Sequence, residues 1–378
     1  MLGPLMLGPL MFAGVEREWR VVRRDGAAVD FRELVDRLPL DGRRLDPDDP
    51  HAHRCRWGGV VTADGPEAEV ATPPVPVGAG VAADVEALAR LGHLRLRAAL
   101  PGGLRLRGYS THINVTVPDR AVVRTADRFA RHLAVAQMLL LDRAGSPGLL
   151  VRPRRGRLEI GGEYAAADQL RAAVTFAIAG AVACARHPRL LRSLPRPELR
   201  LQRANGRFGW YVDRCAAGAD LYAGGRRTPL PTSKGETTAG AHLALVWELL
   251  RPLAGELTGA PDVTVVDALV DGRRPLPLER PAGDPRGAPA EVPAAGTHGR
   301  VVDDLARPGF VLRTVVARWD RVAFAVDAGA RRRYLVLPTD QLARFLAAVD
   351  AGDYDARFGG RTAATYLASG TSAPYRLS

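Results

Sequence analysis

Gly14-Val15-Glu16-Arg17-Glu18-Trp19 sets two carboxylates two residues apart in a run, residues 13 to 22, that reads as a first strand. Side chains on a strand alternate between faces, so Glu16 and Glu18 share one. Like charges on one face repel unless a cation sits between them or water separates them, so the pair requires a metal or a solvated surface. The same spacing recurs at Glu67/Glu69 and at His112/Asn114, and a further acid stands at Glu159. In Arg105 to Pro118, His112, Asn114 and Thr116 alternate against Ile113, Val115 and Val117, which makes one face polar and the other apolar.

Around these strands the rest of the chain reads as follows. Phe31 to Leu38 is a short helix and Asp41 to His53 a polar loop. Trp57 to Thr62 and Glu67 to Thr72 are strands on either side of Ala63-Asp64-Gly65-Pro66, a turn. Helices are expected over 82–100, 120–143, 167–185 and 241–256, and short extended pieces over Leu199 to Gly206 and Phe208 to Asp213. The helix at 167–185 is apolar, but it opens on Asp168 and Arg171 and ends at Arg186-His187-Pro188, the pattern of a buried core helix rather than a membrane span. Residues 280–299 are a Pro/Gly/Ala-rich linker, and 300–378 form a small α+β appendage with strands near 310–318, 321–327 and 333–337 and a helix at 339–349. Residues 1–11 repeat Met-Leu-Gly-Pro-Leu without the basic flank of a signal peptide, so they read as non-structural, and Met6 and Met11, both just before the first strand, are alternative starts. Residues 12–279 are then one catalytic-sized α+β domain.

At 378 residues and 47% hydrophobic content the chain can bury a full core. The formal charge is +12, yet all 53 basic residues except Lys234 are arginine, as a GC-rich coding sequence produces. The arginines are spread along the chain with few interleaved aromatics, which disfavours nucleic acid and leaves an anionic nucleotide or an acidic peptide as partner. Cys55, Cys184 and Cys215 are odd in number and widely spaced, so neither a disulfide framework nor a zinc site is expected, and a reducing cytoplasm is.

Carboxylates from several strands of one sheet suit hard divalent cations, which take oxygen ligands and bridge to phosphates. Arg152, Arg154, Arg155 and Arg157 form a cluster fit to hold a phosphoryl group. There is no GxxxxGK[ST] loop and no dinucleotide fingerprint, so a nucleotide would bind by another mode. Each residue also has a plainer reading: Asp64 before Gly-Pro as a turn residue, Glu67 as the partner of an arginine, His112 as a hydrogen-bonded core histidine and the arginine run as an exposed loop. Glu163 and Lys234, the latter in a Ser-Lys-Gly turn, are lesser candidates.

Taken in order, these motifs resemble a known family. Gly-Val-Glu-Arg-Glu-Trp resembles the Gly-Ile-Glu-Thr-Glu-aromatic opening of carboxylate-amine ligases of the glutamine synthetase and glutamate-cysteine ligase superfamily, in particular the Pup ligase and depupylase (proteasome accessory factor) branch. Asp64 to Pro74 resembles that branch's Asp-x-x-His-Pro-Glu-Tyr-x-Thr-Pro-Glu, and Tyr109 to Asn114 its Tyr-Gly-Thr-His-Glu-Asn. Arg157-Leu158-Glu159-Ile160 resembles its Arg-Leu-His-Val, and Ala204 to Arg207 and Trp247-Glu248 follow in the same order. The chain departs from the pattern at Glu67, Val70 and Pro74. The resemblance implies a glutamine-synthetase-like fold: a curved, largely antiparallel sheet with helices on its outer face. It further implies ATP and Mg²⁺ as cofactors, Glu16, Glu18, Glu69, His112 and Glu159 as metal ligands, and Asp64 as the catalytic aspartate. Arg152, Arg154, Arg155, Arg157 and Asn114 would contact nucleotide phosphates. The activity implied is phosphorylation of a carboxylate and its amidation by an amine, or hydrolysis of such a bond, with a Pup-like acidic protein or small molecules as substrates.

Overall fold

The computed structural model describes residues 11–46, 49–203, 209–280, 305–317, 319, 321–329, 331–358 and 360–368. The repeat at 1–10, residues Ala204 to Arg207 and the linker from 281 on lie outside them. Met11, expected in the non-structural leader, is buried, and its carbonyl accepts from the Val77 N–H at 2.8 Å.

The strands are β1 (Phe12–Val22), β2 (Ala28–Val29), β3 (Gly42–Asp46), β4 (Asp49–Cys55), β5 (Val60–Asp64), β6 (Glu67–Ala71), β7 (Val75–Pro76), β8 (Arg105–Thr116), β9 (Gly148–Arg154), β10 (Arg157–Glu163), β11 (Gln202–Arg203) and β12 (Trp210–Asp213). They form one sheet in the order β11-β12-β9-β10-β8-β1-β6-β5-β4-β3, with β2 and β7 paired to β1, and every pairing is antiparallel. The fold is α+β, as expected. Ala13, Val15, Ile113, Val115, Leu149, Val151, Leu158 and Ile160 point from this sheet into one core with helices α1 (Val81–Ala99), α2 (Asp119–His132), α3 (Ala134–Leu141) and α4 (Ala167–Arg186). The helices thus cover one face. The alternate residues of β1, β8, β9 and β10 face the other way.

Three local expectations are corrected. Asp41 to His53 is largely the β3/β4 hairpin, not a loop: the pair lies at the end of the sheet order and is built mostly of polar residues, so no apolar alternation marks it. Phe31 to Leu38 is two 3₁₀ turns, the first capped by the Asp30 carboxylate on the Arg32 N–H. The helix expected over 120–143 is broken at Leu133, whose φ of −117° leaves the helical range. Helix α4 is long and apolar enough to cross a membrane, but 83% of its apolar window is buried inside the protein.

Beyond β12 lie α5 (Leu221–Gly224), a hairpin of β13 (Pro229–Thr232) and β14 (Gly235–Thr238), then α6 (Ala239–Thr258) and α7 (Ala260–Val270). The C-terminal region has β15 (Leu305–Arg307), β16 (Phe310–Ala317), β17 (Arg321–Ala328) and β18 (Arg331–Pro338) in one antiparallel sheet, with helix α8 (Thr339–Ala351). Its core joins Leu312, Val322, Phe324, Leu337, Leu342 and Phe345 to one residue from far upstream, Phe12 of β1.

Candidate metal centre

Strand alternation and register together put the candidate residues in one band across the sheet face opposite helices α1 to α4. Arg152 and Arg154 of β9 lie beside β10, where Glu159 pairs in register with Arg152 on one side and Asn114 on the other. Glu16 stands opposite His112, and Glu18 opposite Glu69 of β6. Asp64 ends β5 at the adjoining hairpin. The register shifts after Glu18, where β8 carries Tyr109 as an extra residue, and such bulges commonly re-aim side chains beside functional sites.

Two groups of three result, each with its ligand atoms within 4.8 Å of one another: Glu16, His112 and Glu159, and Glu18, Asp64 and Glu69. His112 joins them, its Nδ1 lying 3.6 Å from Glu16 Oε2, 3.5 Å from Glu18 Oε1 and 3.9 Å from Glu159 Oε1. The ring has room because Gly161 is opposite; a Cβ there would come 2.8 Å from His112 Cδ2.

The two groups differ in how their charge is met. Glu159, 1% exposed, is ion-paired to Arg152 and takes a 2.7 Å hydrogen bond from Arg154 Nε. Arg157 Nε donates to Asn114 Oδ1 at 2.7 Å, and Asn114 Nδ2 donates to Glu16 Oε1 at 3.3 Å. Burial works to raise the Glu159 carboxyl, but the two arginines and His112 outweigh it and hold the group below its ordinary range. In the other group, neither Glu18, Asp64 nor Glu69 has a hydrogen bond or ion pair to an arginine or lysine among the described residues. Burial, then the charges of Glu16, Glu18, Asp64 and Glu159, push Glu69 well above the carboxylate range. Burial likewise raises Glu18, with His112 pulling against it. Burial pushes the His112 imidazole down, yet the surrounding carboxylates carry it above its ordinary value.

The band therefore gathers Glu16, Glu18, Glu69, His112, Glu159, Asp64, Asn114, Arg152, Arg154 and Arg157. It leaves out four of the sequence candidates. Arg155 is exposed in the turn between β9 and β10. Glu67 pairs with Arg20 at 3.6 Å, the plainer of its two readings. Glu163 accepts from the Tyr164 N–H at 3.0 Å, and Lys234 Nζ donates to the Ser193 carbonyl at 2.9 Å on the separate β13/β14 hairpin. One neighbour was not foreseen. Trp319, from the C-terminal sheet region, has its ring centroid 5.5 Å from the Arg157 guanidinium carbon. The bare position Gly14, one alternation before Glu16, was the only trace of it in the sequence.

No protein-family model matches this chain, and neither does any curated protein. Among the solved structures that match is the crystal structure of the complex between prokaryotic ubiquitin-like protein Pup and its ligase PafA, with a TM-score of 0.38 and 11% identity. The match covers 71% of this chain and 65% of that one, so the chain spans less than two thirds of that protein's length. At this distance no activity carries over from it.

Proposed function

We propose that the chain is an ATP- and Mg²⁺-dependent carboxylate-amine ligase of the Pup ligase type. The observation that carries the reading is the Glu18, Asp64 and Glu69 cluster: three carboxylates within 4.8 Å, with no arginine or lysine partner among the described residues and only His112 beside Glu18, on the same sheet face as Arg152, Arg154 and Arg157. Such a cluster is costly unless a cation completes it, and an all-oxygen set suits Mg²⁺. The ordered motifs of the sequence support the same reading.

In this reading Glu18 and Glu69, with Glu16, His112 and Glu159, hold the metal, which when bound neutralises nucleotide phosphate oxygens. Arg152, Arg154 and Arg157 line the basic side of the band and take the anionic phosphates, for which a guanidinium fork is well matched. Asn114 fixes Arg157 and Glu16 with its two ends. A substrate carboxylate placed between the two sides would receive the γ-phosphoryl group, and an amine would then displace phosphate to leave an amide. Asp64, exposed at the end of β5, would take the amine's proton on its carboxylate, a role worth on the order of 10²–10⁴ in rate. The same residue would activate water if the bond is cleaved rather than made. An arginine-rich surface suits an acidic modifier of the Pup kind, and a reducing cytoplasm suits the three free cysteines. Residues 12–279 would form the catalytic domain, joined by a linker at 280–299 to the unit at 300–378.

A second reading is favoured by one observation: Glu159 already has Arg152 and Arg154 as partners. The chain would then take one cation at Glu18, Asp64 and Glu69 and bind nucleotide without turnover. ADP release with Mg²⁺ over a panel of carboxylates and amines separates the two. Turnover that Asp64→Asn abolishes while ATP binding persists supports the ligase; ATP binding without turnover on any pair supports the second reading. Absence of both metal and ATP binding overturns both.

A further inference from the structure

The C-terminal unit supplies none of the charged residues of the band, yet the polar face of β1 leads into it. Phe12, Gly14, Glu16 and Glu18 occupy successive positions of one alternation. Phe12 is fully buried, packed with Leu312, Phe324 and Phe345 of the C-terminal core. Gly14 lies under the next C-terminal residue: a Cβ there would come 3.0 Å from Thr72 Oγ1 and 3.3 Å from Trp319 Cη2. Glu16 and Glu18 follow at once. The indole of Trp319 is half-buried, and the Thr339 hydroxyl at the start of α8 donates to its backbone carbonyl at 3.0 Å. The Arg157 guanidinium lies over the ring, 5.5 Å from its centroid, and its Nε donates to Asn114 Oδ1. The ring stands where a guanidinium is attracted to an aromatic face.

We propose that the C-terminal α+β unit completes the site through Trp319, a positioning residue that seats on the bare backbone at Gly14 and holds Arg157 towards the phosphates of a bound nucleoside triphosphate. The proposal rests on the nucleotide-binding reading given above. Phe12 anchors the unit, Gly14 leaves space for the ring, and the ring, together with Asn114, limits the orientations of the Arg157 side chain. An arginine held in advance loses less freedom on binding a phosphate, which is how a residue that need not touch the ligand affects its affinity.

The test uses the full chain, with MgATP binding measured by calorimetry and Mn²⁺ binding without nucleotide measured separately. Trp319→Ala is expected to weaken MgATP about three- to ten-fold, the range of a half-buried cation–π contact, and Trp319→Phe to restore most of it. Gly14→Ala attacks the same contact from the strand side and should act in the same direction, which covers the case in which Trp319→Ala does not fold. Mn²⁺ affinity in Trp319→Ala should stay within about two-fold of wild type, and adding Trp319→Ala to Arg157→Ala should bring no further loss, since coupled residues are non-additive. Unchanged MgATP affinity in Trp319→Ala, or full additivity with Arg157→Ala, overturns the proposal while leaving the nucleotide site standing. A wild-type chain that binds neither Mn²⁺ nor MgATP removes the site and the proposal together.

Discussion

Glu159 and Glu69 sit three strands apart on one face of one sheet, and the fold treats them in opposite ways. Glu159 is met by Arg152, Arg154 and His112 and is held ionised. Glu69 faces Glu18 directly across the β1/β6 pair, has Asp64 and Glu16 near it, and is pushed toward its neutral form. A sheet can carry either arrangement, but only the first is content in isolation. Like charges directly opposite on neighbouring strands destabilise, whereas a buried carboxylate with two guanidinium partners is strongly destabilised only when a partner is taken away. The contrast separates a carboxylate whose charge is met by neighbouring side chains from a cluster whose charges are not, and in the proposed reading a bound cation meets the second.

The largest expected effect comes from breaking the satisfied side. Arg152→Ala removes a partner of Glu159 at positions only 9% and 1% exposed. Glu159 keeps Arg154 and His112, so the change should lower unfolding stability by about 1.5–3 kcal/mol, read from urea denaturation in the presence of EDTA. A loss below about 1 kcal/mol would mean that Glu159 is not the buried, arginine-dependent ion described here.

The same treatment of the other side should reverse the sign. Glu69→Gln keeps the shape, removes one charge from the Glu18–Glu69 pair, and should stabilise the metal-free protein by up to about 1 kcal/mol. In a Mn²⁺ titration it should cost at least the 10–100-fold in affinity that even outer groups of metal sites typically carry. Gain of stability with loss of metal is the signature of a site kept for function. If Glu69→Gln destabilises and leaves Mn²⁺ binding alone, the cluster is structural.

How much of this contrast can be read from the sequence depends on range. Period-two spacing shows which residues share a face, so Glu16 with Glu18, His112 with Asn114 and Arg157 with Glu159 are legible, since the alternation is a property of a single strand. Register is not: Glu67 and Glu69 look equivalent, and only the pairing of β6 with β1 sets Glu69 opposite Glu18 and leaves Glu67 to Arg20. Partner identity is less legible still, because Arg152 finds Glu159 through the turn of a hairpin whose first strand, β9, gave no distinct signal. Trp319 lies some 300 residues from the strand it touches, and no local pattern reports a contact of that range.

Acidity sharpens the comparison at smaller energies. Glu69 has its folded-state pKa raised, so its contribution is fully present below the ordinary value of 4.5 and is lost as pH rises through the folded value. The advantage of Glu69→Gln over wild type should therefore be near zero at about pH 4 and grow upward. Glu159, held low, contributes stability above its ordinary value that is lost as pH falls, so the deficit of Glu159→Gln should shrink toward acid. Asp142, buried beneath the sheet and pushed up to about 7, has the same sign as Glu69 but is common to all three proteins and cancels in the differences. Denaturation midpoints across pH 3 to 8 in EDTA check this, the Glu159→Gln change falling below the ordinary value of 4.5 and the Glu69→Gln change above it, and parallel curves for the two would erase the distinction between the two sides.

The smallest effect belongs to Arg155. By sequence it is the equal of its neighbours in the Arg152 to Arg157 run, but the turn between β9 and β10 takes it off the alternation that aims Arg152, Arg154 and Arg157 at the band. Arg155→Ala should change stability by less than about 0.5 kcal/mol, as for most exposed positions, and should leave MgATP affinity within the error of calorimetry. Arg157→Ala, two residues on, should weaken it measurably, because its guanidinium is already directed by Asn114 Oδ1 and bounded by the Trp319 ring. Equal losses in the two variants would mean that the arginines act through the general basic field of the hairpin, since a field depends on net charge and not on which way each side chain points. Unequal losses would place recognition in the sheet face itself, where strand alternation alone decides which arginine reaches the phosphates.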